Sequence, residues 1–228
     1  MTLWDLLFTN QKSAPPEFGL WYFFLPASLL VVGYFSIKYA QSKSYQRFWY
    51  WAQLIQVLTI NAWYILAHMP LTDNLPFYHC RLAMFAVLFL PDRWKSKQFF
   101  ALMGVSGAIF ALGYPVFDPY TFPHITSFSF LLGHYCLLIN SLIYLLRWYD
   151  RNLLKNSQIV LYTFALDLFL VGVNQLTGGN YGLMARPPIM RGDKVWLNYL
   201  VVSSILALAL LLFNQFFSRR SERVKVRK

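Results

Sequence analysis

The chain has 228 residues, of which 57% are hydrophobic, 19% aromatic and only 13% charged, about half the charge of an ordinary soluble domain. Its 20 Lys and Arg against 9 Asp and Glu give a formal net charge of +11, which on a soluble chain would raise the question of nucleic acid. So apolar a sequence excludes a soluble globular fold and points to lipid as its solvent.

The start of the chain, Met1-Thr-Leu-Trp-Asp-Leu-Leu-Phe8, has neither a basic n-region nor a small-residue cleavage pattern, so no removable signal peptide is expected. A polar stretch marked by Pro15-Pro16 follows. Apolar runs then occupy Leu20 to Ile37, Phe48 to His68, Leu75 to Leu90, Phe99 to Val116, Ile125 to Leu146, Ile159 to Leu176 and Trp196 to Phe217. The expected fold is all-α, a polytopic bundle of seven transmembrane helices. Residues 1–19 form an extracytoplasmic or interfacial segment, 20–217 the membrane domain and 218–228 a basic cytoplasmic tail. The third run is the shortest, at about 24 Å against a hydrocarbon core of about 30 Å.

Loop charge supports that count. One side of a seven-span chain holds Lys38, Lys43, Arg47, Arg93, Lys95, Lys97, Arg147, Arg151 and Lys155, with the cations of the tail from Arg219 to Lys228. The other side holds only Lys12, Arg81, Arg186, Arg191 and Lys194. The positive-inside rule therefore places the N-terminus outside and the C-terminus in the cytoplasm of a multi-pass protein of the cell membrane. Trp49, Tyr50, Trp51, Trp148, Tyr149 and Trp196 fall near span ends, as aromatic belts do.

Polar side chains inside lipid are where function is sought. At 100° per residue, span two gathers Gln53, Gln56, Asn61, Tyr64 and His68 on one arc, span five superposes Ser127, His134 and Ser141, and span six aligns Thr163, Asp167 and Asn174. These stripes read either as interhelical hydrogen-bond glue or as the lining of a polar cavity. His134 and Asp167 are the deep ionisable groups, Asp167 being either protonated or paired with His134. Span four carries a small-residue face, Gly104 with Ala108 and Gly107 with Ala111, which lets a neighbour approach closely.

Span three opens with Leu75-Pro-Phe-Tyr-His79-Cys80-Arg81. A thiol beside positive charge or a base is a potential nucleophile; the bland reading makes Cys80 a small buried hydrophobe. His79 points about 100° away from Cys80, so His134 on another helix is the better base, although it lies about 6 Å deeper. Cys136 reads as packing. Before the last span, a loop rich in turn formers contains Asn180 and Tyr181 and carries Arg186, followed by Arg191 and Lys194; Arg186 reads as a phosphate or carboxylate ligand or as a plain loop charge. No phosphate-binding glycine loop, metal-binding His-Glu-x-x-His or Gly-x-Ser-x-Gly elbow is present. No cofactor and no metal are expected.

The Leu75-Pro-x-x-x-Cys80-Arg81 motif, His134 in mid-span and the Gly179-Asn180-Tyr181 loop together resemble the YwaF-like bacterial integral membrane proteins, distantly related to transmembrane protein 164 of animals. The resemblance covers nearly the whole chain. It implies phospholipid acyl transfer by a Cys and His pair, and so carries those roles to Cys80 and His134. One departure is that the family often has a histidine two residues before the cysteine, where this chain has Tyr78 and puts His79 directly before Cys80.

The expected function is thus a lipid acyltransferase or acyl hydrolase. Cys80, His134 and Asp167 would be catalytic, with Asp167 or Asn174 orienting His134. His79, Arg81, Asn174, Asn180, Tyr181 and Arg186 would contact substrate. The alternatives are a solute or proton-coupled transporter and a non-catalytic assembly protein. Membrane lipids are the expected partners, with anionic inner-leaflet lipid at the basic tail, and nucleic acid is not.

Overall fold

The opening residues form a single short helix, α1 (Leu3–Phe8), because Thr2 and Asp5 build a capping box: the Thr2 hydroxyl accepts the Asp5 N–H and the Asp5 carboxylate accepts the Thr2 N–H. In this computed structural model the remaining helices are α2 (Trp21–Tyr39), α3 (Lys43–Leu66), α4 (His79–Phe89), α5 (Lys95–Gly113), α6 (Ile125–Trp148), α7 (Asn156–Thr177) and α8 (Val195–Val226), with a 3-10 turn at Tyr181–Leu183. The structure describes residues 2–17, 19, 21–187 and 194–226, the side chains of Trp21 and of 222–226 apart. Among the described residues there is no strand. Arg191, Arg227 and Lys228, counted above among the loop and tail cations, lie outside them.

Five helices, α2, α5, α6, α7 and α8, are long and apolar enough to cross a bilayer. The chain is a membrane protein with several apolar helices, and the expectation of seven is met only in part. Helix α3 has the length, 24 residues, but its polar stripe dilutes its apolarity. Helix α4 has 11 residues, about 16 Å or half a hydrocarbon core. Prolines explain why: Pro76 and Pro91 bracket the run, and Tyr78 and Leu90 at its two caps are extended rather than helical. At the other end of the chain, α8 runs on to Val226, so the described part of the expected tail continues the last helix.

Two sets of loops mark the ends of the bundle. At one end Ser13 meets Thr121, Lys12 pairs with Asp73 and Tyr181 reaches Leu71; we call this the capped end. At the other, the basic end, Gln98 bonds Asp150, Arg147 bonds Gln46 and Asn214 bonds Asn156. Consecutive helices from α2 to α8 therefore alternate in direction. Helix α5 is central, packing on α4, α6, α8 and α2, with Ala101, Leu102, Met103 and Ala108 fully buried. The small face expected on it is used: a Cβ on Gly104 would fall 2.9 Å from Leu137 Cδ1 of α6 and closer still to the Ser141 hydroxyl.

Candidate functional site

The first turn of α4 sends three consecutive side chains to three different helices, the 100° step of an α-helix. His79 goes to α7, where its Nε2 lies 2.6 Å from Asp167 Oδ1. Cys80 goes to α5: a Cβ on Gly107 would stand only 2.9 Å from its Sγ, so the glycine is what admits the thiol. Arg81 goes to α3, where its Nη2 donates to the Tyr64 hydroxyl. Neither Gly107 nor the Arg81–Tyr64 bond was assigned a place in the site from sequence. The only sequence signal for either was the helical step at 79–81 and the small-residue spacing on α5.

Arg81 is sandwiched by aromatic faces, its guanidinium carbon 4.6 Å from the Tyr64 ring centroid and 5.2 Å from that of Tyr78. Cation–π contact holds a desolvated cation without consuming its hydrogen-bond donors. One of them, Nη1, is buried with no partner. The Arg81 charge is within electrostatic reach of both Cys80 and His134. An unspent donor thus belongs to the residue that follows the thiol in sequence.

Asp167 is fully buried and is held by His79, not by His134 as one reading of the sequence had it. The physical reason is which helix lies opposite: α4 presents His79 to α7, whereas His134 turns back along its own helix. His134 Nδ1 is 2.7 Å from the Phe130 carbonyl. A carbonyl only accepts, so Nδ1 carries the proton and Nε2 of the neutral ring keeps its lone pair. A Cβ on Gly133 would touch Met84 Cε at 3.0 Å, so α6 packs on α4 next to His134. The bond to Phe130, one turn nearer the capped end, tips the His134 ring toward that end. Among the described residues Cys80 and His134 do not hydrogen-bond each other.

The three polar stripes are buried: Gln53 and Gln56 on α3, Ser127 and Ser141 on α6, and Thr163, Asp167 and Asn174 on α7. Some of this is glue, such as Asn140 to Gln53 and Gln56 to Ser129. His68 departs from the stripe, standing exposed beyond the end of α3 with φ 52°. Cys136 is a fully buried core residue.

Asn174, Asn180 and Tyr181 are occupied by the loop itself. Asn174 donates to the Tyr181 carbonyl and accepts its N–H, at 2.8 and 2.6 Å. Asn180 Oδ1 accepts the N–H groups of Ala185 and Arg186. The Tyr181 hydroxyl donates to Leu71 O and accepts from Leu75 N–H, which ties this loop to the segment that leads into α4. Arg186 is exposed.

Over the capped end lies the N-terminal segment, held by Trp63 Nε1 to Phe8 O, Asn10 Nδ2 to Ala67 O and the Lys12–Asp73 pair. His124, just before α6, is its buried anchor: Nε2 donates to Thr9 O at 3.0 Å while Nδ1 accepts from Thr126. Burial pushes its pKa below the usual histidine value. Among the described residues no three His, Cys, Asp or Glu cluster as metal ligands.

No curated protein and no solved structure matches the chain. A family model does, that of the TMEM164 family, over residues 8–214, a span that includes α2 to α7, most of α8 and every residue of the site. The chain belongs to the TMEM164 family, a family of membrane proteins.

Proposed function

We propose that this membrane protein is a lipid acyltransferase or acyl hydrolase of the YwaF-like bacterial branch, crossing the cell membrane seven times with its N-terminus outside. The observation that carries the reading is the first turn of α4, which sets the Cys80 thiol against Gly107 and leaves Arg81 Nη1 unspent, together with the acceptor nitrogen of His134 on the packed helix α6. The family resemblance assigns the nucleophile and base to the same two residues.

In this reading Cys80 Sγ attacks the ester carbonyl carbon of a phospholipid and passes its proton to His134 Nε2. The tetrahedral oxyanion is met by Arg81 Nη1, a donor that is buried and unpaired. Collapse breaks the ester C–O bond, and the lysolipid oxygen leaves with the proton from His134. The resulting thioester is then attacked by an acceptor hydroxyl or by water, which regenerates the thiol. Asp167 acts through His79 as a positioning residue that fixes the first turn of α4. The loop of Asn174, Asn180 and Tyr181 bounds the site on the capped side, Tyr181 packing on Tyr78.

The test uses full-length protein in membranes with a phospholipid labelled on its acyl chain. A hydroxylamine-sensitive label on the protein, lost in Cys80→Ala and trapped or slowed in His134→Ala, is expected. Label that persists in Cys80→Ala would exclude the thioester. One observation favours a transporter as a second reading: the buried Asp167 keeps one oxygen, Oδ2, without a partner beside His79, as a proton-relay carboxylate would. Proton-coupled uptake abolished by Asp167→Asn, with no acyl label, would establish that reading instead.

A further inference from the structure

A second polar feature lies at the basic end, away from the Cys80 group. Between α3, α4 and α6 there is a cavity of about 260 Å³. Its mouth carries Arg47 and Arg147, its inner polar wall Asn140, and its apolar wall Val87, Leu88 and Ile143. None of these residues takes part in the chemistry proposed above.

The electrostatic balance of the cavity decides what fits. Lys97 and the carboxylate of Asp92 also line it, and the Lys97 ammonium is spent on Asp92 Oδ1 at 2.7 Å and the Leu90 carbonyl at 2.8 Å. That pair is neutral. Arg147 gives one nitrogen to the neutral Gln46 side chain. Among the described residues neither Arg47 nor Arg147 has a carboxylate partner. Two guanidiniums with unspent donors therefore flank one opening, and guanidinium donors match the paired oxygens of a phosphate.

The remaining walls say what the phosphate is attached to. The apolar side chains of α4 and α6 would be wasted on an inorganic ion. Trp148, on the rim, lies between Arg147 and Arg93, at 5.7 and 5.9 Å from the two guanidinium carbons, and Tyr50 also borders the cavity. Cations and amphipathic rings at a helix end, over apolar side chains, make the pattern of a membrane–water interface. Anionic lipid concentrates at such a basic surface. Behind the wall, Asn140 donates to Gln53 Oε1 and Trp49 O, and the buried Gln53 Nε2 has no partner, so hydrogen-bonding capacity remains unspent on the protein side.

From this we infer that the cavity between α3, α4 and α6 is a binding site for the phosphodiester headgroup of an anionic membrane lipid, clamped by Arg47 and Arg147 with its glycerol and first methylenes against Val87 and Ile143. This site is distinct from general attraction to the basic end of α8, because it depends on two residues of α3 and α6 rather than on the cations of α8. Arg47 is exposed, so its substitution leaves the packing of the bundle intact.

The test compares full-length protein reconstituted in nanodiscs of phosphatidylcholine alone or doped with phosphatidylglycerol, reading lipid retained by native mass spectrometry. Wild type should retain phosphatidylglycerol over phosphatidylcholine. Arg47→Gln/Arg147→Gln should lose about tenfold in that preference, the size of two weakened charge-assisted contacts. Arg219→Gln/Arg220→Gln, with the same loss of charge at α8, should keep it. Equal loss in both double variants would overturn the site in favour of diffuse attraction. Full displacement of the lipid by inorganic phosphate would overturn the lipid assignment in favour of a free-phosphate site. Arg47→Lys/Arg147→Lys retains the charge and guards against misfolding: it should bind with intermediate preference, and retention equal to wild type would overturn the bidentate clamp.

Discussion

His79 Nε2 and Asp167 Oδ1 lie 2.6 Å apart, joining the first residue of α4 to the middle of α7 across 88 positions of sequence. Asp167 is fully buried and its other oxygen has no partner. Truncating the histidine strands a buried carboxyl group, which costs more than an interhelical hydrogen bond of ordinary kind. A double-mutant cycle of His79→Ala and Asp167→Ala, read by thermal unfolding in detergent, should give a coupling of about 1–3 kcal/mol. A coupling near the ~0.6 kcal/mol average for membrane hydrogen bonds would reduce the pair to glue and remove the basis for a positioning role.

Cys80 and Gly107 form the second relationship that is open to direct test. A methyl group at 107 would sit 2.9 Å from Sγ, inside van der Waals contact, so Gly107→Ala must push the thiol or part α4 from α5. Overpacking of this kind costs about 1–3 kcal/mol. In a Cys80→Ala background the clashing atom is gone, and most of that cost should vanish. Melting temperatures of the two single variants and the double variant decide it: an additive double variant would show that the two side chains do not meet.

Much of the fold was legible because apolar runs of span length and buried polar stripes are properties of one helix at a time. The stripe of Gln53 and Gln56 and that of Thr163, Asp167 and Asn174 follow from the 3.6-residue period alone, and both are buried. The third run is the shortest in the sequence, but that Pro76 and Pro91 cut its helix to 11 residues is a finding of the structure. What could not be read is partnership between helices. Nothing near Asp167 in sequence announces His79, and His134 was an equally good suitor until helix order was known. Asn174, Asn180 and Tyr181 drew attention as ligands because polar residues in a loop look unspent. Their donors and acceptors are in fact consumed by the loop's own backbone and by Leu71 and Leu75, a folding-back that no local spacing encodes.

That folding-back predicts a remote effect on the thiol. The Tyr181 hydroxyl satisfies the Leu75 N–H and the Leu71 carbonyl, both in the segment that delivers the chain to α4. Tyr181→Phe leaves the two part-buried backbone groups without their partner, a cost of about 0.5–1.5 kcal/mol per bond. The segment should loosen, and Cys80 should react faster with a small alkylating reagent than in wild type while Cys136, fully buried in the core, stays unreactive. Mass spectrometry of each cysteine peptide after timed alkylation reads this directly. Unchanged labelling of Cys80 would show that the loop does not control the first turn of α4.

The last prediction concerns pH at the capped end. His124 Nδ1 accepts from the Thr126 N–H and hydroxyl while Nε2 donates to Thr9 O, an arrangement that only the neutral ring satisfies. A proton on Nδ1 would set donor against donor at the first turn of α6. Stacking on Tyr120, at a centroid separation of 4.1 Å, and edge contact with Trp63 keep water away, and burial holds the pKa below its unfolded value. The unfolded ring takes its proton at about pH 6.5, the folded one lower. The stability contributed by the neutral histidine is therefore fully present above about pH 6.5. It is lost as pH falls from there through the folded pKa. Since Nε2 is what ties Thr9 down, residues 2–13 should gain hydrogen exchange and protease sensitivity as pH drops from about 7.5 to about 5. In His124→Ala the same residues should be exposed at both pH values, with no further change between them. Protection of the N-terminal segment that is equal at both pH values in wild type would show that His124 does not hold it.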